Sequence, residues 1–364
     1  MTTVGLRGIE VVHAGRRVLR DVHLDVASGE VVALLGASGS GKTSLLRVVA
    51  GFVQPSAGRV LVGGRDVTHL PTRDRDLGMV AQGAPLQPTR DVGGNLTLPL
   101  DLLGEDDRAQ RRRRAEVEAR AFGLWGLLRR RPRQLSTGQR AAAATARAVV
   151  RPRSALLLDE PAVHLDPVTR AEVLAQVRTV QRGHGTTMLL ATNELGVAHA
   201  LADRVGVLAH GTLAAVGTLA ELRAAPGSLD VADLVGGAPL ARLPGRVLPG
   251  SGGGRARVRT AAGDVPTWSP ALRDHRGPVL LGVGPHDVTL GDPGPDRLAG
   301  TVRHVGTTGP ERVVTVATHA GPVTVNVRDT APSHGEAVGL LVHHALVATD
   351  HGTVLAVVDR PSAH

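Results

Sequence analysis

Short apolar runs separated by longer amphipathic stretches fill the first 235 residues of this 364-residue chain. The runs at 31–35, 155–158, 187–191 and 205–209 are continuously apolar or nearly so, which predicts buried strands of a largely parallel sheet with helices packed against it. Residues 88–150 read instead as mostly helical. Asp106 and Asp107 head an arginine-rich stretch, acids first and bases later, in the sense the helix dipole favours, and the segment 140–150 is rich in alanine. Beyond 235 the pattern changes. Gly250-Ser-Gly-Gly-Gly254 and scattered prolines punctuate short β-branched runs such as 312–316 and 322–327, predicting a small β-barrel. The expected organisation is an α/β domain over 1–235, with a helical subdomain at about 88–150, followed by a β-rich domain over 236–364.

Between the first buried run and the next helical stretch lies GASGSGKT at 36–43. It fits the spacing G-x-x-x-x-G-K-[ST] without mismatch, in the strand, loop, helix context that separates a phosphate loop from an ordinary glycine-rich turn. Gly36, Gly39 and Gly41 permit backbone angles that turn successive N–H groups inward, and the helix N-terminus adds positive potential. The residues expected to cradle a triphosphate are Gly36, Ala37, Ser38, Gly39, Ser40, Gly41, Lys42, Thr43 and Ser44. Lys42 would reach the terminal phosphates, and the Thr43 hydroxyl would help to hold a magnesium ion. Of the 42 basic residues, Lys42 alone is a lysine; a planar guanidinium would fit this nest poorly.

A second apolar run ends in paired acids, Ser154-Ala-Leu-Leu-Leu-Asp159-Glu160-Pro161. In open α/β sheets ligands bind at the carboxyl ends of strands, so Asp159 is expected to support magnesium and Glu160 to orient or deprotonate the attacking water. An apolar run before Asp-Glu is a weak signal alone and a strong one in a chain that already carries the loop.

Composition narrows the remaining choices. A net charge of +9 admits nucleic acid or an anionic membrane surface as a partner. Against nucleic acid, the chain has no tyrosine and only Phe52, Phe122, Trp125 and Trp268 on which a base could stack. The basic runs 111–114 and 129–131 are expected to be solvated helix faces. Zero cysteines exclude disulfides, zinc-thiolate sites and thiol catalysis. No stretch approaches the roughly 18 apolar residues needed to cross a bilayer, and the first fifteen lack an apolar signal core, so a soluble cytosolic protein is expected.

Between loop and acid pair stands LSTGQR at 135–140, which resembles the LSGGQ signature of ATP-binding-cassette (ABC) proteins. Read from the residues, Ser136 and the small Gly138 at a helix start form a second anion site, or only an N-cap. The resemblance implies that Ser136, Gly138 and Gln139 close on the γ-phosphate held by a twin subunit, two copies sandwiching two ATP molecules head to tail. It extends over essentially the whole chain. Gln82 matches the Q-loop glutamine, implied to sense magnesium and contact a membrane subunit. His164-Leu165-Asp166 matches the D-loop, with Asp166 bridging the dimer. Residues 209–218 look like the closing hairpin of ABC domains, and 281–287 resembles the "GIRPE" element of the C-terminal transport-associated OB-type domain.

That layout is similar to ATPase subunits of importers for sugars, polyamines, iron(III) or sulfate. It implies ATP and Mg2+ as ligands, a homodimer, transmembrane permease subunits as partners, an extracytoplasmic solute-binding protein acting indirectly, and a place on the cytoplasmic face of the membrane. A sugar is the candidate solute, on a faint likeness of 237–244 to the junction of sugar-importer ATPases, although Leu165-Asp166-Pro167 departs from the Leu-Asp-Ala usual there.

Three departures bear on turnover. Asn193 stands where the family has its switch histidine; it can donate a hydrogen bond but cannot become a cation. Ala14, with His13 beside it, replaces an aromatic that stacks on adenine. Thr137 replaces the first signature glycine, placing a β-branched side chain near the incoming phosphate. Two readings therefore stand: a transport ATPase with slowed catalysis, and a nucleotide-dependent regulatory or binding module with little hydrolysis.

Overall fold

The structure, a computed structural model, describes residues 3–83, 86–102, 107–151, 153–163, 165–248, 256–267, 269–272, 274–308, 311–328 and 331–359. Asp106, His164, Trp268 and the glycine run from Gly250 to Gly254 lie outside them. The chain divides into two compact units, 1–219 and 220–364.

The first unit opens with β1 (Val4–His13), β2 (Arg16–Val26), β3 (Val31–Leu35), α1 (Lys42–Ala50), β4 (Ala57–Val62), β5 (Arg65–Asp66) and β6 (Leu77–Val80). Three helices follow, α2 (Val92–Asp101), α3 (Arg108–Ala121) and α4 (Thr137–Val149), within the span expected to be helical. The unit closes with β7 (Ala155–Asp159), α5 (Pro167–His184), β8 (Thr187–Thr192), α6 (Leu195–Leu201), β9 (Arg204–Ala209) and β10 (Thr212–Gly217). Strands β2-β1-β4-β5 form an antiparallel sheet. The main sheet runs β10-β9-β3-β8-β7-β6, parallel except at the β10 edge.

The four continuously apolar runs are its central strands, and β3, β7 and β8 are buried at every position. A strand covered on both faces gains nothing from a polar residue, and this is why these runs show no alternation. Parallel pairing brings the carboxyl ends of β3, β7, β8 and β6 to one edge: Leu35 lies opposite Thr192, Asp159 opposite Ala191, and Val80 opposite Leu158.

Local chemistry sets the helix ends. Asp107 caps α3 by accepting from the Gln110 N–H at 2.8 Å. The basic run on this helix is partly committed: Arg111 lies 3.5 Å from Asp101 and Arg112 2.9 Å from Glu116.

Arg75, a residue only 1 % exposed, closes the far end of α1 with its guanidinium. Arg75 donates to the carbonyls of Val48 and Val49 at 2.7 and 2.9 Å, and to those of Leu70 and Thr68 at 2.9 and 2.6 Å. Charge-assisted bonds to orphan helix carbonyls offset its desolvation. Arg75→Ala takes this partner from the carbonyls of Val49, Thr68 and Leu70, while that of Val48 keeps the Gly51 N–H at 3.1 Å; an expected loss of about 3–5 kcal/mol of stability is measurable by urea unfolding, and a change within 1 kcal/mol would show that water replaces the guanidinium.

Among the described residues the second unit holds α7 (Leu219–Ala224, beginning at the last residue of the first unit), α8 (Leu229–Gly236) and eleven strands. The strands are β11 (Ala241–Leu248), β12 (Ala256–Thr260), β13 (Gly263–Thr267), β14 (Pro278–Val283), β15 (Val288–Gly291), β16 (Leu298–Thr308), β17 (Glu311–Thr318), β18 (Gly321–Val327), β19 (Ala337–Val342), β20 (His344–Ala348) and β21 (Val354–Asp359). They form two antiparallel sheets, β13-β12-β11-β14-β20-β21 and β15-β19-β16-β17-β18, around one apolar core that includes Leu243, Val258, Leu281, Val302, Val316 and Leu340. Leu229 and Ala232 of α8 pack against Leu346 and Ala348 of β20.

Candidate nucleotide site

The loop after β3 wraps the start of α1. Gly41, the N-cap, sits at φ 108°, and a Cβ there would approach Leu19 Cδ2 to 2.7 Å, so conformation and space both demand glycine. Lys42 folds back over the loop, its Nζ donating to the carbonyls of Gly36 at 2.8 Å and Ala37 at 3.0 Å. Burial depresses its pKa, and the nearby Glu160 and Asp159 carboxylates oppose that shift. The buried Ser40 hydroxyl has no hydrogen-bond partner. An orphaned donor and a buried ammonium bonded to neutral carbonyls fit a site built for an anion.

Across the sheet edge, Thr43 Oγ1 donates to Asp159 Oδ1 at 3.0 Å. Asp159 is 2 % exposed, and burial raises its pKa against the pull of Thr43 and nearby cations. A hydroxyl and a single carboxylate, both hard oxygen donors, suit a magnesium ion whose remaining positions are filled by phosphate and water; no group of three or more His, Asp or Glu residues able to hold a metal occurs among the described residues.

Glu160 follows in the left-handed region at φ 49°. A non-glycine residue pays about 1–2 kcal/mol for that conformation, and here its main-chain N–H is fixed by the Ala191 carbonyl at 2.9 Å. The side chain accepts from Thr192 Oγ1 at 3.3 Å and from the Asn193 main-chain N–H, while burial raises its pKa.

The structure thus gathers residues 36–44, Asp159, Glu160 and the Asn193 backbone at one sheet edge. Asn193 is exposed immediately beyond β8, and Gln82 is exposed two residues beyond β6, the strand beside β7. The signature makes its own local cap: among the described residues no hydrogen bond joins Ser136, Gly138 or Gln139 to the loop. Ser136 Oγ accepts from the Gln139 N–H at 3.2 Å, and Gln139 Oε1 accepts from the Ser136 N–H at 3.1 Å, a reciprocal cap on α4. Gly138 has no alternative, because a Cβ there would collide with Thr169 Cγ2 on α5. Thr137 is pinned by Arg140, which donates to its hydroxyl at 3.0 Å and to the Leu135 carbonyl at 2.7 Å. Exposed Asp166 caps α5 through Oδ1, accepting from the N–H groups of Val168 and Thr169 at 3.2 and 3.1 Å. Ala14 and Gly15 make the tight β1–β2 turn, both at positive φ, and present no ring.

Sequence reasoning missed Thr192, Arg140 and Arg170. Thr192 closes a strand that otherwise reads as plain core. Arg170 is one of 41 arginines, and Arg140, although it ends the signature stretch, carries no signal of its own there.

A parallel sheet with a phosphate loop, a hydroxyl–carboxylate pair and a positioned glutamate at its carboxyl edge defines a P-loop nucleoside triphosphatase. Residues 19–163 match the family model described as ABC transporter. The chain is 36% identical over 305 residues to the Fe(3+) ions import ATP-binding protein FbpC of Rhizobium etli, covering 84% of this chain and 85% of that one. It is 36% identical over 293 residues to the sn-glycerol-3-phosphate import ATP-binding protein UgpC of Cereibacter sphaeroides (80% and 81% covered). Over 311 residues it is 36% identical to the spermidine/putrescine import ATP-binding protein PotA of Frankia alni (82% and 67% covered). Among solved structures, the dimeric post-hydrolysis state of the ATP-binding cassette MJ0796 bound to ADP and Pi matches with a TM-score of 0.54 and 25% identity, over 59% of this chain and 98% of that one. The chain belongs to the ABC transporter ATP-binding proteins, and is an ABC-type ATPase.

Proposed function

We propose that this protein powers the import of a small solute, hydrolysing ATP as a head-to-tail homodimer beneath transmembrane permease subunits on the cytoplasmic face of the membrane, with an extracytoplasmic solute-binding protein feeding the pathway. The observation that carries this reading is the convergence of Lys42, Thr43, Asp159 and Glu160 at one sheet edge. No described helix is long and apolar enough to cross a membrane. The relatives above are named for iron(III), glycerol phosphate or polyamines, which favours a solute among these chemistries over the sugar expected from residues 237–244.

In this reading Thr43 and Asp159, joined by Gln82, hold magnesium, which when bound neutralises phosphate charge. Lys42 and the loop N–H groups orient the triphosphate. Glu160, held by Thr192 and the Asn193 backbone, positions and deprotonates water. Ser136, Gly138 and Gln139 of the twin complete the phosphate's surroundings, and the exposed Asp166 faces the dimer contact. The domain assignment follows: ATP binding and hydrolysis over 1–235, regulation by the β-rich remainder over 236–364.

Asn193 favours the second reading, a nucleotide-dependent module with little hydrolysis, because a neutral amide stabilises developing phosphate charge less than an imidazolium. Steady-state ATPase measurement with Asn193→His separates the two. For a transport ATPase the wild type turns over measurably and the variant about fivefold faster. ATP binding without wild-type turnover would establish the module instead.

A further inference from the structure

Two loops flank Glu160. One runs from β7 through Leu165 and Asp166 into α5; the other carries Asn193 and Glu194 from β8 into α6. One side chain joins them. Arg170, on the first turn of α5, donates through Nη2 to the Leu165 carbonyl at 3.0 Å and through Nη1 to the Glu194 carboxylate in a close ion pair. Its Nε is buried without a partner, so the two terminal nitrogens do the holding. The path continues: the Glu194 N–H donates to Thr192 Oγ1 at 3.1 Å, and Thr192 Oγ1 donates to Glu160 Oε2 at 3.3 Å.

We infer that Arg170 is a positioning residue, setting the catalytic carboxylate according to where the Leu165–Asp166 loop stands. A guanidinium is a planar fork of fixed spacing, so movement of the Leu165 carbonyl shifts Glu194, and with it the Glu194 N–H that orders the Thr192 hydroxyl. The adjacent Asp166 is exposed, its carboxylate capping the helix through the N–H groups of Val168 and Thr169 and the Thr169 hydroxyl, and this loop is open to an approaching protomer. Closure of the dimer would thereby be felt at Glu160. A displacement of an ångström at a catalytic group costs up to about a hundredfold in rate, so a link of this kind gates turnover without touching nucleotide.

The inference rests on the functional reading above, and the test separates them. Turnover, ATP affinity by a fluorescent ATP analogue, and ATP-driven dimerisation on the Glu160→Gln background are measured for wild type, Arg170→Met, Glu194→Gln and the pair. Glu194→Gln keeps the side-chain shape and guards against a folding defect in Arg170→Met. Each single variant is expected to lower kcat about tenfold and to raise the ATP concentration for half-dimerisation similarly, with the protomer's own ATP affinity within about twofold. The double variant is expected to be no worse than either single, because one link is cut in each. Additive losses, or unchanged kcat and dimerisation in an active wild type, overturn the inference alone. A wild type with neither turnover nor ATP-driven dimerisation overturns the functional reading and the inference together.

Discussion

Replacing Glu160 by glutamine is expected to lower ATP turnover by about 10²- to 10³-fold while ATP binding persists and an ATP-bound dimer accumulates. Glu160 is held in the left-handed region by its own N–H on Ala191, and its side chain accepts from Thr192 and from Asn193 N–H. Glutamine retains an acceptor oxygen and the same shape, so geometry survives and only the capacity to take a proton from water is lost. Burial holds the native carboxyl above its ordinary pKa, making it a stronger base than an exposed glutamate once ionised. Single-turnover kinetics with gel filtration in ATP read both consequences. Turnover within threefold of wild type would remove Glu160 from the chemistry.

Lys42→Ala is expected to weaken ATP binding by about 10²- to 10³-fold, equivalent to about 3–4 kcal/mol. Lys42 is 6 % exposed, and among the described residues its ammonium is hydrogen-bonded to the loop carbonyls of Gly36 and Ala37, so in the resting protein it is a desolvated charge awaiting a stronger partner. Removal forfeits its Coulomb attraction to the phosphates in a low-dielectric pocket. Lys42→Arg is expected to be nearly as damaging, since the fork does not fit a nest shaped around one nitrogen. Calorimetric titration decides; affinity within threefold of wild type for Lys42→Ala would overturn the phosphate-loop assignment.

The parts of the molecule legible in the sequence are those whose physics is local. The runs behind β3, β7, β8 and β9 announced themselves because strands buried on both faces exclude polar residues. The loop at 36–43 was legible because phosphate chemistry dictates glycine, lysine and threonine at fixed spacing. Links between distant segments were not. Arg170 and Glu194 lie 24 residues apart in two different loops, and nothing in either stretch signals the pair. Arg75 reads as one arginine among many, yet it closes a helix 26 and 27 residues earlier. The packing of α8 against Leu346 and Ala348, more than a hundred residues downstream, was equally hidden.

The solitary lysine has a practical corollary. Amine-directed labels usually scatter over a protein's surface, but here the side chains offer them a single target, shielded inside the nucleotide cradle. Side-chain acylation or reductive alkylation therefore reports on one atom, and occupancy by ATP competes directly with the reagent. A residue retained for its fit between phosphate oxygens doubles as an intrinsic chemical reporter of whether that space is filled.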